Sequence, residues 1–137
     1  MPPRKPPART ARNRYGAEGA RWRRMTAHVT GRDAGLCHIC GHPGAKVVDH
    51  VIPVTERPDL ALDVSNMRAA HGYLKGGGGE CATCSAASMA RGGKPVYCND
   101  LRQAMSVERA RRVIESRTGL PLGQKTREQP RGEREWD

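Results

Sequence analysis

The sequence predicts a small α+β domain stapled by zinc, with flanking helices and disordered termini. Three observations point there. Cys37-His38-Ile39-Cys40 and Cys81-Ala82-Thr83-Cys84 form two Cys-x2-Cys pairs, a spacing that lets both thiolates of a pair reach one ion from a tight turn. Between them, the apolar, β-branched run Val47-Val48-Asp49-His50-Val51-Ile52-Pro53 reads as a short strand that carries a titratable pair. The composition also leaves little for a core, with no Phe, 4% aromatic residues, 16 Gly and 10 Pro. A chain this poor in bulky apolar side chains needs another source of stability, and small domains often use a metal.

At 137 residues the chain holds one domain plus tails. Residues 1–14 predict a disordered basic arm, residues 15–120 the folded domain, and residues 121–137 a disordered tail whose charges balance. The net charge is +10. Arg4, Lys5, Arg9, Arg12, Arg14, Arg21, Arg23 and Arg24 face only Glu18 within residues 1–24, so about seven of the ten net charges lie there. Such an excess predicts a polyanionic partner, most simply nucleic acid, with Arg12, Arg14, Arg21, Arg23, Arg24 and Arg91 as contacts. The alternative is a solvated tail without a partner. No apolar run approaches the length of a bilayer span and the N-terminus has no apolar signal region, so no membrane role is expected. The cysteine spacing favours an intracellular metal site over a disulfide framework.

In chain order, residues 17–29 predict a helix, with Trp22, Met25 and Val29 on one face and Gly31 and Gly35 as stops. Cys37 to Gly44 is a knuckle, and residues 46–51 are a strand that Pro53 limits. Residues 55–63 form a loop, and residues 65–71 lead into a second short strand. Gly76-Gly77-Gly78-Gly79 reads as a flexible hinge without a packing role. Residues 85–91 predict a short helix, residues 94–104 an irregular segment, and Ser106 caps a helix to about Arg117 that Gly119 closes.

Cys37, Cys40, Cys81 and Cys84 give Cys-x2-Cys-x40-Cys-x2-Cys, which predicts one closed structural zinc site. His71 or His42 is the rival for one of the four positions, and Cys98, without a paired partner, reads as a buried or free thiol. Asp49 and His50 suit metal-assisted phosphodiester hydrolysis. A carboxylate holds a hard cation such as Mg²⁺, and a neutral imidazole takes a proton from water. Asn66 is the candidate for a hydrogen bond that orients the imidazole, or otherwise a turn residue.

Asp49-His50-Val51-Ile52-Pro53-Val54, followed by Asp63-Val64-Ser65-Asn66-Met67-Arg68-Ala69-Ala70-His71 and flanked by the two Cys-x2-Cys pairs, resembles the HNH endonuclease family, in particular its small zinc-containing bacteriophage members. The resemblance covers roughly residues 20–93. It implies a ββα-metal (His-Me finger) fold and a DNA-cleaving hydrolase, with His50 as general base, Asp49 as ligand of a catalytic Mg²⁺ or Mn²⁺, and Asn66 as the middle motif residue. The third motif residue of the family, a His or Asn on the next helix, aligns best with Ser88, with Ser85 as the other candidate; a hydroxyl there departs from the family pattern. The resemblance further implies a phage protein in the host cytoplasm, with DNA and terminase or other packaging proteins as partners. The competing class is a non-catalytic zinc module that binds nucleic acid through its basic arm.

Overall fold

The computed structural model describes residues 19–123. The basic arm, with Arg12 and Arg14, and nearly all of the C-terminal tail lie outside the described residues. Among the described residues there are four α-helices and one two-stranded sheet: α1 (Gly19–Arg32), β1 (Val47–His50), β2 (Met67–Ala70), α2 (Ala82–Ala90), α3 (Cys98–Ala104) and α4 (Val107–Thr118). Two short 3₁₀ turns, Pro58–Leu60 and Val64–Asn66, shape the loop between the strands. No helix among them is long and apolar enough to cross a membrane.

The strands pair antiparallel, with Val47 opposite Ala70, Asp49 opposite Arg68 and His50 opposite Met67. Because successive side chains of a strand point to opposite faces, the short run separates two clusters. On one face α1 lays down Met25 and Val29 against Val64 and Met67, with Trp22, Val48 and Leu62 packed around them. On the other, Ala70 joins Ile39, Val96, Ala110, Ile114 and all five cysteines, with Val47, Leu101 and Met105 at the margin; Ala69, from the first face, also borders this cluster. The second cluster has no aromatic member, and sulfur fills its centre.

α1 continues through Gly31, which the sequence marks as a stop, to Arg32. Arg32 then donates to the carbonyls of Val64 and Met67, and the Asp33 carboxylate accepts from the Ala69 amide at 2.8 Å. This pair fastens the helix end to β2. The knuckle joins the same strand, because the His38 amide donates to the Ala69 carbonyl at 2.9 Å.

Two expectations are corrected here. Residues 94–104 are not irregular throughout, since Cys98–Ala104 form α3. A seven-residue helix whose cap, Tyr97, makes no side-chain bond carries little local signal. The glycine run also has a packing role: a Cβ on Gly79 would collide with the Gly72 carbonyl oxygen. α4 matches its expected signals, with the Ser106 hydroxyl accepting from the Arg109 amide and Gly119 at φ 72° as the left-handed stop.

Candidate active site and metal centre

β1 ends on Asp49 and His50, so the alternation of the strand sends the two side chains to different supports. Asp49 is buried on the sulfur-rich side. Its Oδ2 lies 2.8 Å from His38 Nε2 and 3.7 Å from Arg102 Nε, and its Oδ1 accepts from Gln103 Nε2 at 3.3 Å. Arg102 also donates to the Val51 carbonyl at 2.9 Å, while its Nε is buried without a hydrogen-bond partner.

His50 faces α1. Its ring stacks on Trp22 with centroids 6.1 Å apart and planes 26° from parallel, and its Nε2 lies 2.9 Å from the Ala61 carbonyl oxygen. A carbonyl only accepts, so Nε2 carries the proton and Nδ1 is left as the basic nitrogen. Val48, Asp49, His50, Pro53, Val54, Thr55, Arg102 and Gln103 line one open cleft of about 460 Å³. The two candidate residues thus reach the same cleft from separate faces of one strand.

Asn66 does not orient the imidazole. Its Oδ1 accepts from the Ile52 amide at 2.9 Å and its Nδ2 donates to the Ile52 carbonyl at 3.0 Å. It clamps the chain as it leaves β1, and the orienting group on His50 is a backbone carbonyl that no residue type announces. The assignment of Ser88 to the catalytic ion is corrected too. Ser88 is buried against the Gly92–Gly93 turn, its carbonyl accepts from the Gly93 amide, and it does not line the cleft. Ser85 Oγ accepts from the Val96 amide at 2.8 Å, a structural bond. The helix beside Asp49 is α3, which sequence reading left irregular.

Arg21, Arg23 and Arg24 are exposed on α1, flanking Trp22 in the chain. Arg91 is exposed at the end of α2, where its guanidinium adjoins the Gly119 turn closing α4. A cation suits that position because a helix C-terminus carries partial negative charge.

The cysteines gather into two donor groups. One holds Cys37, Cys40, His71 and Cys98; the other holds Cys40, His42, Cys81 and Cys84. Within each group the donor atoms lie within 4.8 Å of one another. Two measures agree with a tetrahedral ion. Zinc bonds of about 2.3 Å to sulfur and 2.0–2.1 Å to nitrogen imply S···S edges near 3.8 Å and S···N edges near 3.6 Å. The structure has Cys40–Cys81 Sγ at 3.9 Å, and Nδ1 distances of 3.4 Å and 3.8 Å from His71 to Cys40 and Cys98. From His42 the distances are 3.6 Å to Cys81 and 3.3 Å to Cys84. The second measure is orientation: His71 Nε2 lies 2.8 Å from the Pro43 carbonyl, so it carries the proton and turns Nδ1 toward the thiols.

Charge in the cluster is unevenly shared. Hydrogen bonds from Cys40 and then Cys84 draw the Cys81 thiol far below its ordinary range, and bonds to Cys37 and then Cys40 push Cys98 far above it. Burial opposes a charge on His71, but the surrounding thiols overcome it and raise His71 to about 10. Buried Cys/His groups able to hold a metal ion are therefore present, and the soft donor set suits zinc. A single four-cysteine site is corrected, because Cys37 does not belong to the group of Cys81 and Cys84. His42 and His71 both take part, and Cys98 is a candidate ligand. Only the histidines carried a sequence signal, as rivals for one position.

No family model matches the chain, and neither a curated protein nor a solved structure matches it.

Proposed function

We propose that the protein is a metal-dependent DNA endonuclease that hydrolyses phosphodiester bonds in the cleft at the end of β1. The observation that carries this reading is the pairing of a buried carboxylate, Asp49, with an imidazole, His50, whose Nε2 is committed to Ala61, both lining one open cleft.

His50 Nδ1 accepts the proton of the attacking water. The Ala61 carbonyl holds the opposite N–H and favours the imidazolium that forms, while Trp22 keeps the ring from turning. Asp49 supplies a hard oxygen donor for Mg²⁺ or Mn²⁺, with the Gln103 amide beside it. Such an ion, when bound, stabilises charge on the phosphate and the departing oxygen. Arg102, which lines the cleft and pairs with Asp49 through Nε at 3.7 Å, places a positive charge beside an anionic group entering it. In this reading α3, which brings Arg102 and Gln103 to Asp49, takes the place of the metal-site helix that the HNH resemblance implies, with α2 intervening in the chain. Exposed arginines on α1 supply phosphate contacts around the site.

One observation favours a non-catalytic nucleic-acid-binding module: both Asp49 oxygens already have partners, His38 and Gln103. Incubating supercoiled plasmid with purified protein and Mg²⁺ or Mn²⁺, against an EDTA control, separates the readings. Nicking or linearisation that EDTA abolishes supports the nuclease. DNA binding without cleavage under any divalent ion assigns the chain to the binding class.

A further inference from the structure

Seven Cys and His donors converge, although one zinc takes only four. The two groups have four members each and share Cys40. If one ion filled the first group, His42, Cys81 and Cys84 would remain packed together without one; if it filled the second, Cys37, His71 and Cys98 would. Six of the seven, all but half-buried His42, are buried. Three leftover donors clustered away from water are costly, because the thiols must stay protonated or carry uncompensated charge.

We infer that the chain holds two zinc ions in a binuclear cluster in which the Cys40 thiolate bridges them. Cys37, His71 and Cys98 complete one tetrahedron, and His42, Cys81 and Cys84 the other. A thiolate sulfur has lone pairs enough for two metals, and Cys40 has the required position, with His71 Nδ1 at 3.4 Å on one side and Cys81 Sγ at 3.9 Å on the other. Charge supports the count. Two Zn²⁺ against five thiolates and two neutral imidazoles leave one net negative charge, whereas one Zn²⁺ leaves three unless thiols are protonated.

The backbone is arranged for sulfur ligands in both halves. The Ile39 amide points at Cys37 Sγ at 3.4 Å, and the Cys84 amide at Cys81 Sγ at 3.3 Å. Cys81 caps α2, so its thiolate also meets the positive end of that helix. On the other ligand side, the Asn99 amide donates to the His71 carbonyl at 2.7 Å, locking the start of α3 to the residue after β2. Two ions join the knuckle, both helices and the sheet end into one unit, which explains why this core can do without aromatic residues. The inference stands whether or not the chain cuts DNA.

The test is native mass spectrometry of the full-length protein purified with zinc, followed by ¹¹³Cd NMR of the cadmium-exchanged protein. The expected results are two zinc ions per chain, and two cadmium resonances that split each other through the shared sulfur. One zinc per chain at saturating metal overturns the proposal. So do two cadmium resonances without mutual splitting, which would mean two separate sites. Cys98→Ser should retain the ion of the His42, Cys81 and Cys84 group. The wild-type stoichiometry decides the matter even if that variant fails to fold.

Discussion

Replacing His50 by Ala removes one hydrogen bond, to Ala61, and one ring stack, on Trp22. Each contributes about 0.5–1.5 kcal/mol, so the variant should lose about 1–3 kcal/mol of stability. Proton transfer contributes about 10²–10⁴ in rate, equivalent to about 3–5 kcal/mol of barrier. His50→Gln sharpens the contrast, because an amide N–H can still donate to Ala61 but an amide takes no proton from water. Both variants should lose cleavage by about 10²–10⁴-fold per folded molecule, while zinc content and DNA affinity stay near wild type. The assay is single-turnover nicking of supercoiled plasmid in Mg²⁺ or Mn²⁺, with a thermal melt and metal analysis of the same samples. A folded His50→Gln protein cutting at the wild-type rate would remove the imidazole from the chemistry. Loss of zinc together with activity would mean that His50 holds the fold.

Asp49→Ala should abolish cleavage, with partial recovery at high Mn²⁺ if a weakened metal site is the cause. Gln103→Ala should raise the metal concentration needed for half-maximal cleavage, whereas Ser88→Ala should leave that titration unchanged; the reverse result would return the ligand to α2. His38→Ala removes a partner of the Asp49 carboxylate without removing a sulfur ligand, so zinc content should hold while stability falls by about 1–3 kcal/mol and cleavage drops, read by mass spectrometry, melting and nicking. Mutating Arg21, Arg23 and Arg24 together to Ala should weaken DNA binding and flatten its salt dependence by as much as about 3 in log–log slope, measured by fluorescence anisotropy; an unchanged slope would exclude them as phosphate contacts. Chelation, or acid that protonates the thiolates, should abolish the near-native circular dichroism spectrum, since metal binding and folding are coupled in so small a core.

The parts of the fold that were legible in the sequence have local causes. Apolar spacing marks α1, Ser106 and Gly119 bracket α4, and a β-branched run with a following proline marks β1. The candidate site was legible as residue types, because a carboxylate and an imidazole interrupting an apolar strand are conspicuous. Their partners were not. Ala61 acts through a carbonyl every residue has, and His38 reads as filler between two cysteines. Arg102 and Gln103 lie on a helix too short for periodicity to reveal. The donor count failed for a related reason. Cys98 has no neighbour in sequence to mark it as a ligand, and only the fold brings it to His71. Spacing reports ligands delivered by one turn, and a cluster assembled from four segments exceeds it.

The two halves of the candidate site rest on different supports. His38 follows Cys37 directly, and Arg102 and Gln103 lie on the helix that Cys98 begins, so the groups around Asp49 are anchored by members of one donor group. His50 instead rests on Trp22 and on the loop at Ala61, beside the cluster of Met25, Val29, Val64 and Met67. Losing the ion near Cys98 should therefore disturb the carboxylate side first, while apolar packing keeps the imidazole in place. This division follows from the strand itself. Adjacent residues of β1 face opposite sides, so a carboxylate and a base placed next to each other in sequence are held by separate cores, one built from sulfur and the other from hydrocarbon.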